Sequence, residues 1–129
     1  MQNYFENESV IIRYDEGNHL LIHQWKVSPT SQEFKEGTNI LITAFEHFKT
    51  GKLVGDVRQL GAVLPDDQQW ILTDWIPRAF KAGFSCSATI VPQDIFTQMS
   101  LEGMSGHLED LSSKNFDNME AAIEWIKQF

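Results

Sequence analysis

The amino-acid sequence predicts an α/β domain, a mixed β-sheet that opens with an antiparallel hairpin, continues in parallel strands and is covered by about four helices. Three observations predict it. Two β-rich runs flank the polar stretch Asp15-Glu16-Gly17-Asn18, and Thr30-Ser31-Gln32-Glu33 has the form of a helix capping box. Beyond it, extended and helical runs alternate, an order that implies parallel pairing through right-handed crossovers. At 129 residues the chain suits a single domain, taken as 1–129.

The elements follow in order. Val10 and Ile12 share one face of the first strand. Leu20, Ile22 and Gln24 alternate with Leu21, His23 and Trp25 in the second, which carries apolar groups on both faces and so reads as internal. The capping box starts a helix over about 31–49, with an apolar stripe of Phe34, Thr38, Leu41, Phe45 and Phe48 and with Gly51 placed to close it in the left-handed conformation. A short strand over 52–57 leads through a loop to Pro65-Asp66-Asp67, where two aspartates suit the positive end of a helix dipole. Trp70, Ile71, Trp75 and Phe80 continue that helix, but Pro77 lacks an N–H and predicts a kink or break near Trp75. Phe84 to Val91 reads as a central strand with Phe84, Cys86, Ala88 and Ile90 on one face. Asp94 then caps a helix weakened by Gly103 and Gly106, 114–116 is extended, and Asp117 caps a last helix over about 118–128, with Phe116 packing on Ala121.

Composition narrows the function classes. Eighteen acidic against ten basic residues give a net charge of -8, which repels a phosphate backbone, so nucleic-acid binding is not expected. No segment approaches the ~18 uninterrupted apolar residues of a membrane span, and the first residues lack the basic and apolar regions of a secretory signal. A soluble, cytoplasmic protein is expected. The single cysteine, Cys86, has no internal partner and lies in an apolar run, which suits a small core residue in a reducing compartment.

Candidate chemistry is sparse. His19 and His23 stand four apart, but in a strand that separation is about 13 Å, too far to share one zinc, so no metal site is expected. Gly103-Met104-Ser105-Gly106-His107 pairs a serine with glycines and a histidine, yet its glycine spacing is wrong for a hydrolase elbow and it falls in or after a helix. No phosphate-binding glycine loop follows any strand, and Asp66 and Asp67 are explained by capping. Neither a cofactor nor an enzymatic activity is expected. Trp70, Trp75 and Phe80, with Arg78 nearby, make the aromatic-rich helix. A spacing of five turns the two tryptophans about 140° apart, so one of them is free to line a pocket or a subunit contact.

The chain resembles the STAS-like superfamily of bacterial anti-anti-sigma factors, especially a small stand-alone branch related in shape to lipid-binding CRAL-TRIO domains. The resemblance rests on the opening hairpin, on the strand Leu53-Val54-Gly55-Asp56-Val57-Arg58, on Asp67-Gln68-Gln69-Trp70 with Trp75-Ile76-Pro77, on Ala88-Thr89-Ile90-Val91, and on the closing 116–125 segment. It implies a non-enzymatic regulatory interaction module that forms a homodimer or meets another protein, with Asp56, Arg58, Trp70, Trp75 and Arg78 as the candidate partner- or ligand-binding residues. Members that act as switches carry a serine or threonine where this chain has Pro65-Asp66-Asp67, so a kinase-controlled switch is not implied. The alternative is a binder of a small apolar or lipid-like ligand, held between the sheet and the helix over 66–82, with Arg78 as polar anchor.

Overall fold

A computed structural model describes residues 1–92 and 111–129. The strands β1 (Gln2–Glu6), β2 (Val10–Asp15), β3 (Leu20–Trp25), β4 (Lys52–Asp56), β5 (Cys86–Ile90) and β6 (Ser112–Phe116) form one six-stranded sheet in simple sequence order. β1–β2 and β2–β3 are antiparallel; β3–β4, β4–β5 and β5–β6 are parallel. The α/β class and the mixed sheet with its opening hairpin are as expected. β1 is an addition: its residues are polar or half-buried and it bulges between Asn3 and Phe5, so little in it reads as a strand. β3 is internal, with Leu21 and Trp25 in one core and Leu20 and Ile22 in the other. In the β2–β3 turn it is His19, not Gly17, that adopts the left-handed conformation (φ 53°), and β3 begins only after it.

Helix α1 (Ser31–Phe48) starts as its sequence dictates. Thr30 accepts from the Glu33 N–H while the Glu33 carboxylate accepts from the Thr30 N–H, an arrangement that contributes about 1 kcal/mol. The expected stripe faces the sheet, with Phe34, Thr38, Leu41 and Phe45 buried and Phe48 half-buried. The helix ends on Lys49, which takes the left-handed position expected of Gly51. Gly51 serves a different need: a Cβ there would collide with the carbonyl oxygen of Gly83.

The second helical unit is α2 (Pro65–Trp70), a π-helical turn at Ile71–Trp75, and α3 (Ile76–Lys81). Pro77 explains the join. A regular helix would aim the carbonyl of Thr73 at the proline ring, and the wider turn relieves that clash by passing the Ile76 N–H to the carbonyl of Ile71, five residues back. The break expected near Trp75 is therefore a bulge within one continuous helical path. Asp67 in the first turn is buried, where its carboxylate accepts the Ser31 hydroxyl at 2.6 Å and ties α2 to the start of α1.

Cys86, Ala88 and Ile90 of β5 face helix α4 (Met119–Ile126), and with Leu20, Ile22, Val54, Ala122 and Ile126 they form the smaller core. Phe84 does not share that face. It precedes the strand, beyond the left-handed Gly83 (φ 106°), and joins Phe45 and Trp75 in the larger core on the opposite side of the sheet. The α4 cap is Asn118, which accepts from the Ala121 N–H; Asp117 lies one residue outside, and the ring partner of Phe116 is Trp125, not Ala121. The described residues hold three helical units rather than about four. The helix expected from Asp94 and the 103–107 segment lie outside the described residues. No helix among the described residues is long and apolar enough to cross a membrane.

Candidate functional site

Between the sheet and the pair α1 and α2–α3 lies a cleft of about 160 Å³. Its helical wall is mostly apolar, built by Phe34, Thr38 and Leu41 of α1 and by Ile71, Trp75 and Ile76 of the second helical unit, with Phe84 behind them. Its floor on the sheet is mixed, with Trp25, Leu53 and Val57 apolar and a polar row running across them that register explains. His23 pairs with Gly55, Gly55 with Thr89, and Thr89 with Asn115, so four neighbouring parallel strands present one row of residues to the same side, with Ser87 two positions before Thr89. Burial declines along the row: His23 is buried, Thr89 half-buried and Asn115 exposed, so among the described residues the cleft opens toward β6.

Two glycines shape this space. Gly37 on α1 lets the helix approach the sheet closely, since a Cβ there would stand 2.8 Å from the Trp25 ring. That approach brings the Gly37 carbonyl within 3.1 Å of His23 Nε2. Gly55 does the reverse. No described atom lies within 4 Å of the place a Cβ would occupy, so the missing side chain is part of the opening. Glycine inside a strand otherwise weakens it, and such positions often mark where a ligand or another backbone comes near.

The chemistry of His23 follows from its surroundings. Burial, only partly opposed by the Gly37 hydrogen bond, lowers its pKa to about 4, so the ring is neutral at pH 7. A carbonyl can only accept; Nε2 therefore carries the proton, and Nδ1 is left as an acceptor with no partner among the described residues. The Trp25 indole meets the imidazole edge-on at 5.2 Å and holds its plane. No aspartate, glutamate, lysine or arginine is among the described residues lining the cleft. His23 and Thr89 stand two strands apart, about 9.6 Å by strand spacing, so these two do not form a direct histidine–hydroxyl pair. The arrangement can hold a molecule, with polar groups on one side and rings on the other.

The five residues singled out from the sequence fall into three places. Trp75 is buried in the cleft wall, where its indole N–H donates to the Thr38 carbonyl at 2.8 Å. Asp56, on the opposite side of β4 from Gly55, is buried and paired with Arg58: Oδ1 accepts from the Arg58 backbone N–H and Nε, and Oδ2 from a terminal guanidinium nitrogen at 2.7 Å. This bond raises the pKa of Arg58, whose side chain remains 44% exposed. Trp70 and Arg78 lie outside the cleft, where the half-buried Trp70 ring has Lys35 and Arg78 near its face at 5.8 and 6.0 Å, and Arg78 also bonds Asp74 and Asn39. Contrary to expectation, His19 does not share a strand with His23: it lies in the turn before β3, bonded to Tyr14 and the Lys49 carbonyl. Among the described residues no three His, Cys, Asp or Glu side chains are grouped to hold a metal ion.

Sequence reasoning missed His23, Gly55, Ser87, Thr89 and Asn115. Two signals were available: a glycine in the middle of the apolar run 53–57, and the alternation of Ser87 and Thr89 with Cys86, Ala88 and Ile90 in a strand that helices cover on both faces.

Comparison with known proteins finds no family model that matches this chain and no curated protein that matches it.

Proposed function

We propose that this protein binds a small, mostly apolar molecule in the cleft between the sheet and helices α1 and α2–α3, without transforming it. The observation that carries the reading is the open space above Gly55, floored by a polar row and walled by Phe34, Ile71 and Trp75. Clefts of this size that pair an apolar wall with a few polar groups are the usual form of a small-molecule site, and the space that the described residues leave above Gly55 supports that reading. Arg78, expected as the polar anchor, stands outside the cleft; His23, Thr89 and Asn115 take that part. Native mass spectrometry of the gently purified protein tests the reading. A non-covalent adduct on the wild type that is missing from Gly55→Leu supports it; a bare mass for both counts against it.

A self-associating regulatory module of STAS-like type is the second reading. The N-terminal hairpin joined to parallel strands supports the kinship, and the Trp70 ring, flanked by Lys35 and Arg78 on the outer surface, supplies a patch for a second copy or another protein. Sedimentation of the wild type and of Trp70→Ala at high concentration tests it, and a strict wild-type monomer refutes the homodimer. A cytoplasmic setting suits either reading, given one buried thiol, Cys86.

A further inference from the structure

The size, charge and polarity of the cleft narrow the ligand class, an inference that rests on the small-molecule reading above. Size comes first. A dry apolar cavity of ~150 Å³ takes up a benzene ring, and the space here is about 160 Å³. A fused polycyclic body is too large for it without movement of the walls. Charge is next: the described lining has no ionic side chain that could pair with a carboxylate, phosphate or ammonium, and an unpaired charge taken out of water is strongly disfavoured. Polarity completes the specification. The Gly37 carbonyl holds the proton on Nε2 of His23, so the free ring nitrogen can only accept, and the ligand must donate. Beyond Gly55, the Ser87 and Thr89 hydroxyls, 3.5 Å from each other, can donate or accept toward a second polar atom.

We infer that the cleft takes an uncharged molecule of about one aromatic ring, stacked over Gly55, whose hydroxyl or ring N–H donates to Nδ1 of His23. A phenol or an azole has this form. A ring of the same size without a donor leaves Nδ1 dry and unpaired, a loss on the order of tenfold in affinity.

The test uses ¹⁹F NMR titrations of the full chain with 4-fluorophenol, fluorobenzene and 4-fluorobenzoate at pH 7. For the wild type, 4-fluorophenol is expected to bind on the order of tenfold more tightly than fluorobenzene, with no binding of the benzoate. His23→Phe should erase the preference, and Gly55→Leu should bind none of the three. Because a substitution at a buried position can disturb folding, the ¹⁵N resonances of His23 in the wild type give a second readout: 4-fluorophenol should shift Nδ1, and fluorobenzene should not. Equal binding of the phenol and fluorobenzene with an unmoved Nδ1 overturns the donor requirement while leaving the small-molecule reading in place. Preferential binding of the benzoate overturns the requirement for neutrality. Failure of all three probes to bind the wild type overturns this inference, while a copurifying adduct in the native mass spectrum decides the reading beneath it.

Discussion

His23 and Gly55 are register partners across β3 and β4, one supplying a buried neutral imidazole and the other a volume beside it that no described residue fills. Neither feature is useful alone. A buried acceptor without space would be an uncompensated polar atom, and space without an acceptor would be a packing defect.

The titration of His23 should be visible in stability. The unfolded imidazole takes up its proton near 6.5, whereas the folded one does so only near 4. Between those values the unfolded state binds more protons, so stability rises with pH; the contribution is complete above 6.5 and is lost as pH falls toward 4. The span corresponds to about 3 kcal/mol. Urea unfolding of wild type and His23→Gln from pH 4.5 to 7.5 should show a steeper acid loss for the wild type, and parallel curves would contradict it.

The Asp56–Arg58 pair should respond unequally to removal of either partner. Arg58→Ala leaves a carboxylate that is 3% exposed without its guanidinium, at a cost of about 3 kcal/mol. Asp56→Asn leaves a guanidinium that water already reaches and keeps an oxygen for the Arg58 N–H, so about 1 kcal/mol is expected. Denaturant midpoints at pH 7 decide the order; equal losses would mean that the carboxylate is better solvated than its burial implies.

Gly55→Val should separate folding from binding. A β-branched residue favours the extended backbone, and the space above it is open among the described residues, so stability should stay level or rise by up to about 1 kcal/mol. The cleft should meanwhile lose its ligand. Thermal unfolding beside the fluorophenol titration checks both halves, and a large loss of stability would show that the space is not free.

Cys86 should resist thiol reagents while the protein is folded. Burial is the leading influence and pushes its pKa up, which reduces the thiolate that reacts. Labelling by a disulfide reagent at pH 8 should be slow in buffer and fast in denaturant; equal rates would place the thiol at the surface.

The fold was legible where local chemistry decides it. The Thr30–Glu33 box set the start of α1, the alternation in 20–25 marked β3 as internal, and Pro77 marked the break that the π-turn absorbs. The site was not legible in the same way, because the row His23, Gly55, Thr89 and Asn115 exists only through inter-strand register, and these residues are separated by 32, 34 and 26 positions in the chain. Side-chain character can rank Trp75 as a wall residue, but it cannot distinguish Trp70 turned outward from Trp75 turned inward until the helix is docked. Asp56 and Arg58 drew attention as a charged strand end, and their mutual bond satisfies both.

The rims of the sheet bear on how copies of the chain meet. β1 is short, polar and bulged, and β6 is Ser-Ser-Lys-Asn-Phe with a lysine at its middle. Such borders are poor templates for backbone pairing with a neighbour, so continuation of the sheet from one molecule into the next is opposed on both sides. Stripping away residues 1–6 would uncover Val10, Ile11 and Ile12 as a greasy border, a template through which copies of the chain are expected to pair.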